Sequence, residues 1–150
     1  MLEVLSPAGS SDALVAAVQN GADAVYLGCG SFNARVNAKN FTLEQLHQWV
    51  SYCHIRGVKV YLTLNTLVLD RELKDVAREI LEASRAGVDA ILVQDLGVCQ
   101  LVRTLAPDVP IHASTQMAVH NLDGVLRAAE MGISRVVLAR ELSHDQIAYI

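Results

Sequence analysis

No apolar run in this 150-residue chain approaches the roughly 18–20 residues that a helix needs to cross a bilayer. The opening stretch, Met1-Leu2-Glu3-Val4-Leu5-Ser6-Pro7, has no basic region ahead of an apolar one, so a secretory leader is not expected. Cysteine is scarce: Cys29, Cys53 and Cys99 lie far apart and form no C-x-x-C pair. Their separation matches no zinc or iron–sulfur spacing, and the natural reading is free thiols in a reducing cytoplasm. Basic residues are few and isolated. Lys and Arg total 12 against 16 Asp and Glu, a formal net charge of −4. Nothing in that distribution forms the electrostatic footprint of an RNA-binding surface. There is no G-x-S-x-G elbow, no H-E-x-x-H helix and no Walker loop, and Gly28-Cys29-Gly30 is too short for a dinucleotide fingerprint. No nucleophile–base–orienter set can be assembled from the spacing.

What the chain does have is a repeated phrase: a glycine, a short apolar run, then abruptly polar residues. It reads Gly21-Ala22-Asp23-Ala24-Val25-Tyr26-Leu27-Gly28, then Gly57-Val58-Lys59-Val60-Tyr61-Leu62-Thr63-Leu64-Asn65. It returns as Gly87-Val88-Asp89-Ala90-Ile91-Leu92-Val93-Gln94-Asp95 and as Gly132-Ile133-Ser134-Arg135-Val136-Val137-Leu138-Ala139-Arg140-Glu141. Each glycine stands where a helix needs a left-handed residue before turning into a buried strand. Strands are expected at Glu3–Ser6, Ala24–Gly28, Lys59–Asn65, Ala90–Gln94, Ile111–Ser114 and Arg135–Ala139. Between them lie amphipathic helices. Leu73, Val76, Ala77, Ile80 and Leu81 make one apolar stripe, and Leu43, Leu46, Trp49, Val50 and Cys53 another. Thr42 with Gln45 and Ser143 with Gln146 read as capping boxes, and Asp70 reads as an N-cap.

This alternation predicts an α/β fold of about six βα units in a single domain, residues 1–150, with no linker. Two architectures accommodate it: an incomplete TIM-type (β/α)8 barrel, or an open doubly wound sheet. The strand near residue 60 has Val60, Leu62 and Leu64 in one phase, against Lys59, Tyr61, Thr63 and Asn65 in the other. One apolar face and one polar or mixed face suit a barrel interior, whereas a sheet covered on both sides would be apolar in both phases. The last residues, Asp145-Gln146-Ile147-Ala148-Tyr149-Ile150, fall inside the sixth helix without a stop signal. We therefore expect the N-terminal part of a longer barrel protein. Its open edges at the first and sixth strands would be exposed or covered in a homo-oligomer.

Active sites of such folds gather at the C-terminal ends of the strands. Those ends supply Ser6, Asn65, Gln94, Asp95, Ser114, Gln116, Arg140 and Glu141 as candidate ligand-binding residues. His112, inside a strand, is the candidate catalytic base; the bland alternative is a core histidine satisfied by a carboxylate such as Asp95. Arg140 can grip an anion with its planar fork or form a rim ion pair with Glu141. Asp95 also reads as the cap of a helix over Leu96–Leu105, and Cys29 as a spare thiol rather than a reactive one. No metal site is expected.

Taken together, the strand ends resemble a known family. Leu5-Ser6-Pro7-Ala8-Gly9, Gly21–Gly28, Phe32-Asn33-Ala34-Arg35, Leu62-Thr63-Leu64-Asn65-Thr66, Val93-Gln94-Asp95, His112-Ala113-Ser114-Thr115-Gln116 and Leu138-Ala139-Arg140-Glu141-Leu142 resemble the N-terminal barrel half of the collagenase-like peptidase family U32. Each motif is weak alone, but the ordered set spans nearly the whole chain. The resemblance implies two functions, peptidase activity of unknown catalytic type or oxygen-independent hydroxylation; a non-catalytic binding or assembly module, with the pocket kept only as structure, is the third reading. Bacterial members hydroxylate a base in ribosomal or transfer RNA, apparently with a prephenate-derived hydroxyl, and others act in ubiquinone synthesis. The segments at Thr63–Thr66 and His112–Gln116 look closest to the ribosomal RNA branch. The resemblance further implies a small anionic ligand in the barrel, RNA as a partner of the longer protein, no membrane association, and an iron–sulfur cluster on cysteines later in the family's sequence. Cys29, Cys53 and Cys99 match none of those cluster positions.

Overall fold

A computed structural model describes residues 2–34 and 40–150. Six strands run parallel and pair strictly in chain order: β1 (Leu5–Pro7), β2 (Ala24–Leu27), β3 (Lys59–Leu64), β4 (Ala90–Val93), β5 (Ile111–Ala113) and β6 (Ile133–Val136). A doubly wound sheet reverses its strand order at a switch point. The sequential order therefore rules out the open doubly wound alternative and leaves a (βα) barrel-like arrangement, incomplete at six strands. Six helices follow the strands: α1 (Ser11–Gln19), α2 (Leu43–His54), α3 (Leu73–Ala86), α4 (Leu96–Leu105), α5 (Leu122–Glu130) and α6 (His144–Tyr149). Same-handed crossovers between successive neighbours keep all helices on one side of the sheet.

The two strand phases separate as that geometry requires. Val25, Leu27, Val60, Leu62, Leu64, Ile91, Val93 and Ile111 pack against Leu46, Val50, Val76, Ile80, Val98 and Val102 of the helices in one large core. The opposite phase, Ala24, Tyr26, Tyr61, Ala90 and Leu92, forms a second, smaller cluster inside the barrel. The alternation in β3 is thus a division between an outer oily layer and an inner mixed one.

The repeated phrase has a local explanation. In three of the four phrases the residue two places after the glycine clasps the start of the preceding strand. The Val4 N–H donates to Asp23 Oδ2 at 2.7 Å, while the Asp23 N–H donates to the Val4 carbonyl at 2.9 Å. Asp89 repeats both bonds with Val60, at 2.7 and 2.8 Å. At the same place in the last phrase, the Ser134 hydroxyl donates to the Ile111 carbonyl at 3.0 Å. The glycines that end α3 and precede β6, Gly87 and Gly132, are left-handed with φ of 82° and 78°.

Several boundaries differ from those read in sequence. β1 starts at Leu5 because Val4 is engaged by Asp23, and it runs on through Pro7. β6 starts at Ile133, which pairs with Ile111 ahead of a register shift. It ends early because Ala139 turns its N–H to the Val119 carbonyl. Both capping boxes form. Asp70 is not the cap of α3. It opens a short 3-10 turn, Asp70–Glu72, and α3 begins after Glu72 without a side-chain cap.

Among the described residues no ladder joins β1 to β6, but side chains span the gap at the N-terminal end of the barrel. Glu3 accepts from Arg135 of β6 at 2.7 Å and from the Tyr61 hydroxyl at 3.0 Å, and lies 3.6 Å from Lys59 Nζ. The Arg135 hydrogen bond, ahead of the others, holds the Glu3 carboxyl below its usual range. One carboxyl in the outer layer is less well served. Glu79 of α3 is 3% exposed, its Oε1 has no hydrogen-bond partner, and burial raises its pKa to about 8.

Candidate functional site

Where the inner phase reaches the C-terminal strand ends, it opens into a cavity of about 360 Å³. Its apolar wall is Leu5, Tyr26, Leu92 and Val137; its polar wall is Thr63, Asn65, Ser114, Thr115 and Gln116, with Ala34 and Arg140 at the mouth. Together they come from all six strands or the turns that follow them, so a small change of loop sequence alters the lining without altering the barrel.

The polar wall is internally ordered. Asn65, one residue past β3, donates from Nδ2 to Ser114 Oγ at 3.1 Å and accepts the Ala34 N–H at Oδ1 at 3.0 Å. Ser114 Oγ also accepts the Gln116 N–H at 3.3 Å and so caps a 3-10 turn, Thr115–Met117. That turn closes on Ala118, which is left-handed at φ 56° although it is not a glycine. Below, the Thr63 hydroxyl donates to the Leu27 carbonyl at 3.0 Å. The loop after β2 is seated by Asn33, 1% exposed, whose Nδ2 donates to the Cys29 and Gly30 carbonyls at 3.3 and 3.2 Å. Gly28 leaves room for it: a Cβ there would lie 2.5 Å from Asn33 Cγ.

Of the residues named from sequence, Asn65, Ser114, Gln116 and Arg140 meet around this cavity. Ser6 does not join them, because it is in register with Val25 in the helix-facing phase; its neighbour Leu5 lines the cavity instead. Gln94 is half-buried outside the lining. Asp95 caps α4, accepting the Gly97 and Val98 N–H groups at 2.7 and 3.1 Å, and its other oxygen accepts the Val68 N–H at 3.4 Å. Glu141 is exposed, and no ion pair joins it to Arg140 among the described residues. Arg35 of the family-like motif lies outside the described residues.

His112 sits under the cavity floor rather than in its wall. It pairs in register with Leu92 and packs edge-on against Tyr61, ring centroids 4.9 Å apart. It lines the lower chamber with Lys59, Tyr61 and Arg135. Asp95 is not its partner, since both carboxylate oxygens of Asp95 are turned to backbone N–H groups. Burial, with the nearby Arg135 charge, lowers the His112 pKa to about 4, so the imidazole is neutral at pH 7.

Seven lining residues were not among the candidates named from sequence: Leu5, Tyr26, Ala34, Thr63, Leu92, Thr115 and Val137. Tyr26 and Thr115 were discoverable: Tyr26 is one residue from a strand end in the inward phase, and Thr115 stands between two named residues. Ala34 contributes through its backbone, which no side-chain pattern reveals.

The thiols do not fit an iron–sulfur cluster. Cys29 after β2, Cys53 in α2 and Cys99 in α4 are buried on different elements of the core, and burial raises their pKa to about 12, 11 and 11. Among the described residues no group of three or more His, Cys, Asp or Glu is arranged to hold a metal. No helix among them is long and apolar enough to cross a membrane.

Comparison with known proteins places this geometry in context. Residues 9–150 match the family described as Peptidase family U32. The chain is 40% identical to the 23S rRNA 5-hydroxycytidine C2501 synthase of Escherichia coli over 99% of its own length, but only 22% of that protein. It is 37% identical to a collagenase of Porphyromonas gingivalis, covering 99% of this chain and 35% of that one. With tRNA hydroxylation protein P of Helicobacter pylori it shares 40% identity, over 95% of this chain and 34% of the relative. The chain thus spans between a fifth and somewhat over a third of these curated relatives. Among solved structures, the U32 peptidase Mk0906 superposes with a TM-score of 0.80 at 17% identity, over 100% of this chain and 64% of that one. At that identity the likeness concerns the fold.

Proposed function

Because the chain belongs to peptidase family U32, we propose that it is the ligand-holding barrel portion of a protein that hydroxylates an RNA base, in ribosomal or transfer RNA. In this reading the barrel binds a small anionic hydroxyl donor such as prephenate. The observation that carries the reading is the lining: among the described residues one guanidinium, Arg140, stands with the hydrogen-bonding side chains of Thr63, Asn65, Ser114, Thr115 and Gln116. A carboxylate meets the Arg140 fork at the mouth, where a charge-assisted pair is the strongest contact on offer. Hydroxyl and amide groups orient the polar substituents, and Leu5, Tyr26, Leu92 and Val137 receive the apolar body.

The lining supports binding and orientation and offers little for proton transfer. Among the described residues no carboxylate or histidine lies in it, and His112 is beneath the floor and neutral at pH 7. The chemical step therefore falls to groups outside this lining, and the isolated 150-residue chain is expected to bind without turnover. Deletion of the gene, followed by digestion of ribosomal and transfer RNA and mass spectrometry of the nucleosides, tests the reading. Loss of one hydroxylated nucleoside is expected; an unchanged nucleoside profile contradicts it.

Proteolysis is the second reading, favoured by the family description and by the collagenase relative. It requires an activated nucleophile or water. Among the lining hydroxyls, Thr63 donates to the Leu27 carbonyl, and the Ser114 oxygen is engaged by Asn65 and Gln116; neither is paired with a base. Collagen and casein digestion by the purified protein tests it; cleavage abolished by Ser114→Ala would favour proteolysis over hydroxylation.

A further inference from the structure

The cavity at the strand ends leaves His112 unused. Its side chain is 7% exposed and packs edge-on against Tyr61, yet among the described residues no hydrogen bond engages either ring nitrogen. A buried polar group in that state costs free energy unless something in the space beside it completes its bonds. That space is a chamber of about 280 Å³ at the N-terminal end of the barrel, lined by His112 with Lys59, Tyr61, Asp89, Ser134 and Arg135. It shares no residue with the cavity above.

Two cations border the chamber, and protein carboxylates answer them only in part. Glu3 accepts one Arg135 N–H at 2.7 Å and the Tyr61 hydroxyl at 3.0 Å, and Lys59 Nζ lies 3.6 Å from it. A guanidinium carries five N–H donors and an ammonium three. Beyond a long contact from Arg135 to the Tyr61 oxygen at 3.5 Å, no further acceptor takes up the remainder among the described residues. Asp89 is engaged elsewhere: its Oδ2 accepts the Val60 N–H at 2.7 Å and lies 2.8 Å from His54 Nε2.

We propose that this lower chamber is a second ligand site, which takes a small oxyanion that still carries a proton, of the hydrogen phosphate type, between Lys59, Arg135 and the His112 ring. The two cations select for negative charge and supply the surplus donors. The imidazole selects for the proton. It is neutral at pH 7, so one ring nitrogen donates and the other accepts. Hydrogen phosphate matches both, with an oxygen for the N–H and a P–OH for the bare nitrogen. Sulfate has the charge but no O–H to give.

Long-range proton–nitrogen NMR of the His112 ring in the labelled 150-residue chain, titrated with inorganic phosphate at pH 7 and constant ionic strength, tests the site. Both ring nitrogens should shift along one saturable curve, and sulfate should bind about fivefold more weakly or less tightly still, as expected for one lost hydrogen bond. Lys59→Met removes a cation whose side chain is 56% exposed, so the fold is kept, and should weaken phosphate about fivefold or more. Arg140→Gln, in the cavity above, should leave the His112 curve unchanged, which separates this site from the one proposed there. Ring nitrogens that do not respond to phosphate overturn the proposal. So does a curve that sulfate reproduces at equal affinity, or one that Lys59→Met leaves as it was.

Discussion

Glu79 offers the most exacting check on the packing described above, because one substitution should change the pH dependence of stability and not merely its level. Its carboxyl is buried between α3 and the turn at Gly30, with Oε1 unpartnered, and its pKa rises from 4.5 to about 8 through burial, against a smaller opposing pull from Arg78. The folded-state value lies above the unfolded one. Stability from this group is thus fully present below pH 4.5 and is lost as pH rises towards 8. At 1.36 kcal/mol per unit, the cost is about 3 kcal/mol at pH 7 and approaches about 5 kcal/mol above pH 8. Glu79→Gln keeps the shape and removes the titration. Its unpartnered carboxamide carries a pH-independent cost of about 1–3 kcal/mol, so the informative quantity is the slope. Urea unfolding at pH 5 through 9 should find the variant gaining on the unaltered protein with each step, by about 3 kcal/mol or more in all. That gain is on the order of 10 °C in melting temperature for a chain of this size. Two parallel stability curves would refute the buried, unpaired placement of Glu79.

Further outcomes follow from the same contacts. Gly28→Ala sets a Cβ 2.5 Å from Asn33 Cγ; Asn33 must leave its pocket, at a cost of about 1–3 kcal/mol in unfolding free energy. Glu3→Gln weakens the link from β1 to Arg135, Lys59 and Tyr61 and should lower stability by about 1–2 kcal/mol in urea titrations, an effect reduced by high salt. Removing His112 acts in the opposite pH direction from Glu79. Its folded pKa of about 4 lies below 6.5, so the unaltered protein loses stability as pH falls between those values, and His112→Phe should flatten that acid limb.

The architecture was legible because barrel strands carry two separate signals. In β3 the phase of Val60, Leu62 and Leu64 announced the outer core, and that of Tyr61 and Thr63 the inner one. The glycine phrases located the turns before four strands. What resisted reading was register. Whether Ser6 or Leu5 faces the cavity depends on a one-residue choice in a three-residue strand, fixed by Asp23 holding Val4. Asp70 looked like a cap but stands one short turn too early for α3. His112 could be placed in a strand, but its height in the barrel could not, and height decides that it lies below the floor with Tyr61. Asn65 was visible as a polar strand end, while its double engagement requires knowing that residues far apart in sequence meet at the mouth.

In the proposed function the cavity at the strand ends receives a small anion through Arg140. Isothermal titration of prephenate into the unaltered protein and into Arg140→Gln tests it most directly. One saturable site is expected, weakened about tenfold or more in the variant by loss of a charge-assisted hydrogen bond of about 1.5–3 kcal/mol, with unfolding behaviour unchanged. No binding to the unaltered protein, or equal binding to both, would contradict it.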